Sequence, residues 1–165
     1  VVAAYAAVRN ASPAYRLMVQ ADFQPASLED WQRWLREQRA LGLQYLIGEE
    51  HGYLVIAGGS AGPRIVTLQL PKGIAEQLDL TAGPLNRKRL DQVLSLGDLS
   101  LMQRLSRPGI DATVQQRLAL LWKLLVPAAE RTDLVNGVYE RLFVLPDGSL
   151  VVLPLETLIG DEARR

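Results

Sequence analysis

Apolar residues recur along this chain in two periods, and the change from one to the other marks out its elements. Leu28, Trp31 and Leu35 follow one another at helical spacing. They stand behind Ser27-Leu28-Glu29-Asp30, a capping box with aspartate in place of glutamate, so a helix is predicted from Ser27. Arg33, Arg36, Glu37 and Arg39 fall on its polar side and read as a solvated face. The period then shortens to two. Leu43 to Ile47 and Tyr53 to Ala57 are β-branched and aromatic runs joined by Gly48-Glu49-Glu50-His51-Gly52, a hairpin loop with glycine at both ends. Arg64 to Leu70 alternates, with Ile65, Thr67 and Gln69 on one side and Val66, Leu68 and Leu70 on the other. Gly58 to Pro63 supplies the turn before it, so the three strands form an antiparallel meander.

Helical spacing returns after the meander. Pro71 is placed to open a helix at its first position, with Ile74, Leu78 and Leu80 inward and Gly83-Pro84 as the stop. Leu85 to Leu94 and Ser100 to Leu105 read as further helices. Asp111 is placed to cap a long amphipathic helix carrying Val114, Leu118, Leu121, Trp122 and Leu125 before Pro127. Upstream, Val1 to Val19 is alanine-rich and broken at Ser12-Pro13, which predicts a pair of short helices. Trp31, Trp34 and Trp122 all lie on predicted helices and read as packing anchors. Near the other end, Arg141 to Leu145 and Leu150 to Leu153 are apolar runs around Pro146-Asp147-Gly148, read as two strands joined by a tight turn. Leu142 to Leu145 is apolar at every position, the pattern of a strand covered on both faces.

Charge adds little to this picture: 18 Lys and Arg balance 18 Asp and Glu over 165 residues, so no nucleic acid or anionic membrane is implied as a partner. The opening run from Val1 to Asn10 is too short for a span and lacks a basic leader, so it is read as a helix end. A start at Val1 and an end at Arg164-Arg165 soon after an apolar run are expected of a piece cut from a longer polypeptide. Cysteine is absent, which fits a reducing compartment, and the cytoplasm is the expected location.

Composition bears harder on chemistry. Without cysteine and with one histidine, the chain alone carries out no thiol, zinc or Ser-His reaction. His51 sits in a loop beside Glu49 and Glu50, and one imidazole among loop acids reads as solvent-exposed. The adjacent acids Glu49-Glu50 and Asp161-Glu162 have no defined separation for glycoside hydrolysis. The serines lack a nucleophile elbow, and Gly58 to Gly62 lacks the lysine and spacing of a phosphate loop. No cofactor is expected.

The segment Leu121-Trp122-Lys123-Leu124-Leu125-Val126-Pro127, followed by Tyr139 to Leu158 with Pro146-Asp147-Gly148 and Leu153-Pro154-Leu155-Glu156-Thr157-Leu158, resembles the front half of a CHAT domain. These are caspase-like cysteine proteases of the separase and caspase group. The family pattern runs from a helix ending in L-x-x-P through a strand and P-D-G to L-P-F-E-A-L. Leu155 and Thr157 depart from it, standing where the family has phenylalanine and alanine. The upstream helix, the Leu43 to Glu50 run and Tyr53-Leu54 resemble the region leading into such domains, so the likeness spans most of the chain.

The resemblance implies an α/β chain that is the front part of a caspase-like three-layer α/β/α fold. Residues 1–41 would be a helical linker, 42–80 the meander and a helix, 84–127 a helical insert, and 139–158 the first core strand and hairpin. It also implies peptide-bond hydrolysis by a His/Cys dyad lying C-terminal to P-D-G, in which a thiolate attacks the carbonyl and an imidazole manages protons. The expected partners are therefore the C-terminal half of the same protease as a second chain, a protein substrate, and an upstream sensor or helical-repeat region. Arg165 would mark a processing site. Asp147, just beyond the Leu142 strand, is the one substrate-binding candidate, for a basic side chain, although an aspartate there is also a turn former. The alternative is a non-catalytic protein-interaction module on a CHAT-like scaffold, or an unrelated α/β binding domain.

Overall fold

A helix begins where the sequence places its cap. Ser27 accepts the backbone N–H of Asp30 at 3.1 Å and donates its hydroxyl to the Asp30 carboxylate at 2.8 Å, and α1 runs over Leu28–Glu37. Arg39, at φ 48°, takes the left-handed conformation that ends a helix. The computed structural model of the chain describes residues 27–59, 62–96, 99–106, 109 and 112–158. The helical pair expected in Val1 to Val19 and the Asp111 cap lie outside them. Residues 1–31 and 32–165 form two separate compact units. All that follows concerns the second.

Its centre is a five-stranded mixed sheet whose strands lie side by side in the order Gly83–Pro84, Arg64–Leu70, Gly52–Ala57, Ala40–Ile47 and Arg141–Leu145. The meander occupies β1 (Ala40–Ile47), β2 (Gly52–Ala57) and β3 (Arg64–Leu70), joined antiparallel with Leu43 opposite Ile56 and Leu54 opposite Val66. The boundary expected between residues 41 and 42 thus falls inside β1. Pro71 sits one position before the expected one, as the N-cap of α2 (Lys72–Gln77). Gly83-Pro84, expected only as a stop, is a two-residue β4 laid against the end of β3. Asn86 caps α3 (Arg87–Val93) by accepting the Arg89 N–H at 3.0 Å. A short ladder of β5 (Ser95–Leu96) and β6 (Leu99–Ser100) leads into α4 (Leu101–Leu105), where Ser100 and Gln103 form a complete capping box. The long helix α5 (Ala112–Leu125) follows. Pro127 then caps α6 (Ala128–Val135), a helix the hydrophobic pattern does not announce because its inward positions include the buried Glu130.

Alternation decides which side of the sheet is packed. Leu41, Leu43, Tyr45 and Ile47 of β1, Leu54 and Ile56 of β2, and Leu68 and Leu70 of β3 enter one core. There they meet Leu90 and Val93 of α3 and Val114, Leu118, Leu121, Trp122 and Leu125 of α5. Removing so many methyl and methylene groups from water is the main force holding this side together. Tyr45 carries a polar atom into that core and donates its hydroxyl to the Leu125 carbonyl at 3.0 Å. Burial raises its pKa well above the ordinary tyrosine value.

β7 (Arg141–Leu145) lies parallel to β1, with Leu142 opposite Leu41 and Val144 opposite Leu43. It is the last strand on that side of the sheet, and its outer edge is unpaired among the described residues. Leu142, Phe143 and Val144 are half-buried and Leu145 is exposed, so the strand is not covered on both faces as its sequence suggests. The hairpin expected around Pro146-Asp147-Gly148 is absent too. Gly148 takes φ 56°, and Gly148–Val152 closes into a 3-10 helix capped by Asp147. Leu150 and Leu153 are buried three residues apart while Val151 and Val152 face outward, a three-residue period that a β-branched pair disguises as a strand.

The opposite face of the sheet is different. Small residues at Ala40, Gly42 and Ala57 let α1 settle over one end, with Leu35 fully buried. Gln32 clamps the β2–β3 turn, donating to the Gly58 carbonyl at 2.7 Å and accepting the Gly58 N–H at 2.7 Å. A side chain at Gly58, which has φ 117°, would stand 2.3 Å from the Ala40 carbonyl oxygen, so glycine is required there. Trp34 is not a core anchor. It is 43% exposed and lays its ring 5.0 Å from that of Phe143, whereas Trp122 is buried as expected. Beyond α1, Leu46, Tyr53, Ile65 and Leu145 stand exposed on the same face, Ile65 at 70%.

Tyr45 makes the fold alkali-sensitive in a testable way. The folded chain holds the phenol proton while the unfolded chain releases it near its ordinary value of 10.0. This contribution is therefore fully present below that pH and falls above it, at about 1.4 kcal/mol per pH unit for one group. Urea unfolding between about pH 8 and about pH 11.5 should show wild type losing stability more steeply than Tyr45→Phe. The variant starts lower for want of the Leu125 bond, and equal slopes in both proteins would assign the titration to another group.

Candidate functional site

The carboxyl ends of a parallel strand pair are where α/β sheets place ligands, because the chain turns away there and leaves a crevice. The described residues hold one such pair. β1 and β7 end side by side at Ile47 and Leu145, and three segments converge on them: the β1–β2 turn, residues 85–91, and the turn after β7. Arg87 donates its backbone N–H to the Gly48 carbonyl at 3.0 Å, and its guanidinium meets Glu49 at 3.2 Å. A side chain at Gly52 would stand 2.3 Å from the Leu85 carbonyl oxygen, so the two segments touch backbone to backbone.

Asp147, the residue singled out for a basic substrate side chain, is half-buried at the centre of this end. Its Oδ2 accepts the Ile47 N–H at 2.7 Å and its Oδ1 accepts the Gly148 N–H at 2.8 Å. The carboxylate thus ties the turn after β7 to the last residue of β1. What the structure gives Asp147 is a backbone-holding task across the parallel pair.

The same turn is tied a second time. Ser149 donates its hydroxyl to Asp91 of α3, and beside this pair opens an apolar cavity of ≈ 490 Å³. Its walls are Leu94, Leu101, Met102, Val152 and Leu153. Neither Asp91 nor Ser149 carries a local sequence signal, since they are 58 residues apart and each reads as an ordinary surface residue.

His51 lies in the β1–β2 turn, exposed, with its ring 6.3 Å from that of Tyr53. Among the described residues no group of three or more His, Cys, Asp or Glu is placed to hold a metal. Away from the sheet end, Glu130 of α6 is buried and paired with Arg64 of β3, leaving its Oε2 without a hydrogen-bond partner. Nearby Tyr139 has its pKa raised by burial and by Asp133 and Glu130, with Arg64 opposing. This cluster ties α6 to the start of β3. Removing Arg64 would strand a buried carboxylate.

No family model, curated protein or solved structure matches this chain. No described helix is long and apolar enough to cross a membrane.

The bonding of Asp147 sets the outcome of replacing it. Asp147→Ala leaves the Ile47 and Gly148 N–H groups without acceptors and should cost about 1–2 kcal/mol in urea unfolding. Asp147→Asn keeps one acceptor oxygen and should cost less. Hydrogen exchange at the Ile47 amide should quicken in the alanine variant, and unchanged protection there would show that the carboxylate does not hold the two strand ends together.

Proposed function

We propose that this chain is the amino-terminal portion of a CHAT-type, caspase-like cysteine protease. It supplies the first core strand, the meander and the link toward a sensor region, while the His/Cys dyad stands on polypeptide C-terminal to it. The observation that carries the reading is the state of the sheet. β7 pairs parallel to β1 and presents an unpaired edge among the described residues, while one face is packed and the other leaves Leu46, Tyr53, Ile65 and Leu145 exposed. A parallel pair is normally buried between helical layers, and an exposed apolar strand edge is a template for further pairing. Both features accord with one covered layer of a three-layer α/β/α fold whose second layer and next strand come from elsewhere. On this reading the cytoplasm is the compartment, where a thiolate nucleophile stays reduced.

The competing reading is a non-catalytic interaction module. It draws support from the packed side of the sheet, where Leu43, Leu54, Leu121 and Leu125 are fully buried without any other polypeptide.

Isolation of the native protein with an antibody against this chain separates the two. The protease reading expects a polypeptide containing both histidine and cysteine, continuous with this chain or bound to it, and a peptidase activity on casein that iodoacetamide abolishes. A native protein without cysteine, with no thiol-dependent hydrolysis, overturns it in favour of the module.

A further inference from the structure

Helix α6 ends in a cap that needs glycine. Asn136 is its C-cap, and Gly137 follows at φ 70°, the left-handed conformation that glycine takes without strain. Val138 donates its N–H to the Asp133 carbonyl at 2.9 Å and Gly137 donates to the Leu134 carbonyl at 3.2 Å, the paired bonds of a Schellman motif. Glycine leaves its backbone nitrogen unshielded, so the cap sets a bare nucleophile next in sequence to the Asn136 amide carbon. Both residues are exposed, and nothing lies within 4 Å of the place a Gly137 side chain would take. The Asn136 side chain has no hydrogen-bond partner among the described residues, and it lines a cleft of ≈ 320 Å³ open to water. Asn86 is placed differently. Its Oδ1 accepts the Arg89 N–H, and the nitrogen that follows it, of Arg87, is tied to the Gly48 carbonyl at 3.0 Å.

We propose that Asn136-Gly137 is a site of spontaneous modification, at which the folded chain loses ammonia and takes up water. Base removes the Gly137 N–H proton, and the nitrogen attacks Cγ of Asn136. The Cγ–Nδ2 bond then breaks, and ammonia leaves with a proton drawn from water. Water opens the resulting succinimide at either carbonyl, giving aspartate or, with the backbone carried through the side chain, isoaspartate. Ring closure opens the two cap bonds, which belong to an exposed last turn where fraying costs little. Either product sets a carboxylate at the negative end of α6, one turn after Asp133. Isoaspartate also lengthens the chain between α6, which Glu130 fixes to Arg64, and β7, which the ladder fixes to β1. The inference goes beyond the protease reading and does not depend on it.

The test is peptide mapping by mass spectrometry of the 165-residue chain aged in a mildly alkaline, non-denaturing buffer. The mass gain of one amide-to-acid exchange is expected in the fragment holding Asn136, with isoaspartate detected there by isoaspartyl methyltransferase and with Asn86 unchanged. The rate should lie within about tenfold of that in a free peptide of residues 132–139. An intact Asn136 in the folded chain while the peptide reacts would show that the cap protects the pair, and it overturns the proposal, as does preferential reaction at Asn86. The isolated isoaspartate form should unfold at a lower urea concentration than Asn136→Asp, which carries the charge on an ordinary backbone. Equal midpoints would overturn the effect assigned to the longer chain.

Discussion

Strand β1 is paired on both edges, and the registers of its two neighbours must agree on it. They meet on Gly42, Leu43 and Gln44, which lie opposite Ala57, Ile56 and Val55 on the antiparallel side and Phe143, Val144 and Leu145 on the parallel side. From this register the end of the sheet follows. Leu145 lies opposite Gln44, and Pro146, with no N–H to give, ends the ladder. Asp147 then reaches the Ile47 N–H, which the ladder no longer serves. A slip of one residue would turn Leu41, Leu43, Tyr45 and Ile47 out of the core and carry Asp147 away from its acceptor position.

That constraint leaves the two faces of the sheet in unequal states. On the packed face, alternate positions of three meander strands close on α3 and α5, and the hydroxyl of Tyr45 finds the carbonyl at the end of α5. On the other, α1 covers the end where the strand residues are small, and the exposed apolar positions begin where they become large, at Leu46, Tyr53 and Ile65. Scattered exposed apolar residues are ordinary on a protein surface, whereas these form a row that crosses neighbouring strands.

Elements whose cause is local were legible in the sequence. The Ser27 cap, the alternation from Arg64 to Leu70 and the amphipathic period of α5 each arise from a few consecutive residues, and each stands where the pattern puts it. Elements that depend on distant partners were not. Gly83-Pro84 becomes a strand only because the end of β3 lies beside it, and α6 turns Glu130 inward only because Arg64 meets it there. The segment after Gly148 failed for a subtler reason. Val151 and Val152 carry the composition of a strand, but the burial of Leu150 and Leu153 sets a period of three. Of the candidate site, Asp147 was visible through its turn, whereas its hold on Ile47, and the Asp91–Ser149 pair, exist only once β7 lies against β1.

The turn after β7 is the point on which the end of the sheet is fixed, and a turn fixes its surroundings only where it does not drift. Surface turns are ordinarily the most mobile part of a domain, because few buried contacts restrain them. The turn after β7 is restrained from three directions: Asp147 binds it to the end of β1, Ser149 binds it to α3, and Leu150 anchors it in the core. Each restraint comes from a different element, so displacing the turn means breaking contacts with the sheet, a helix and the core together. The carboxyl end of the parallel pair is thereby restrained by the sheet, a helix and the core at once.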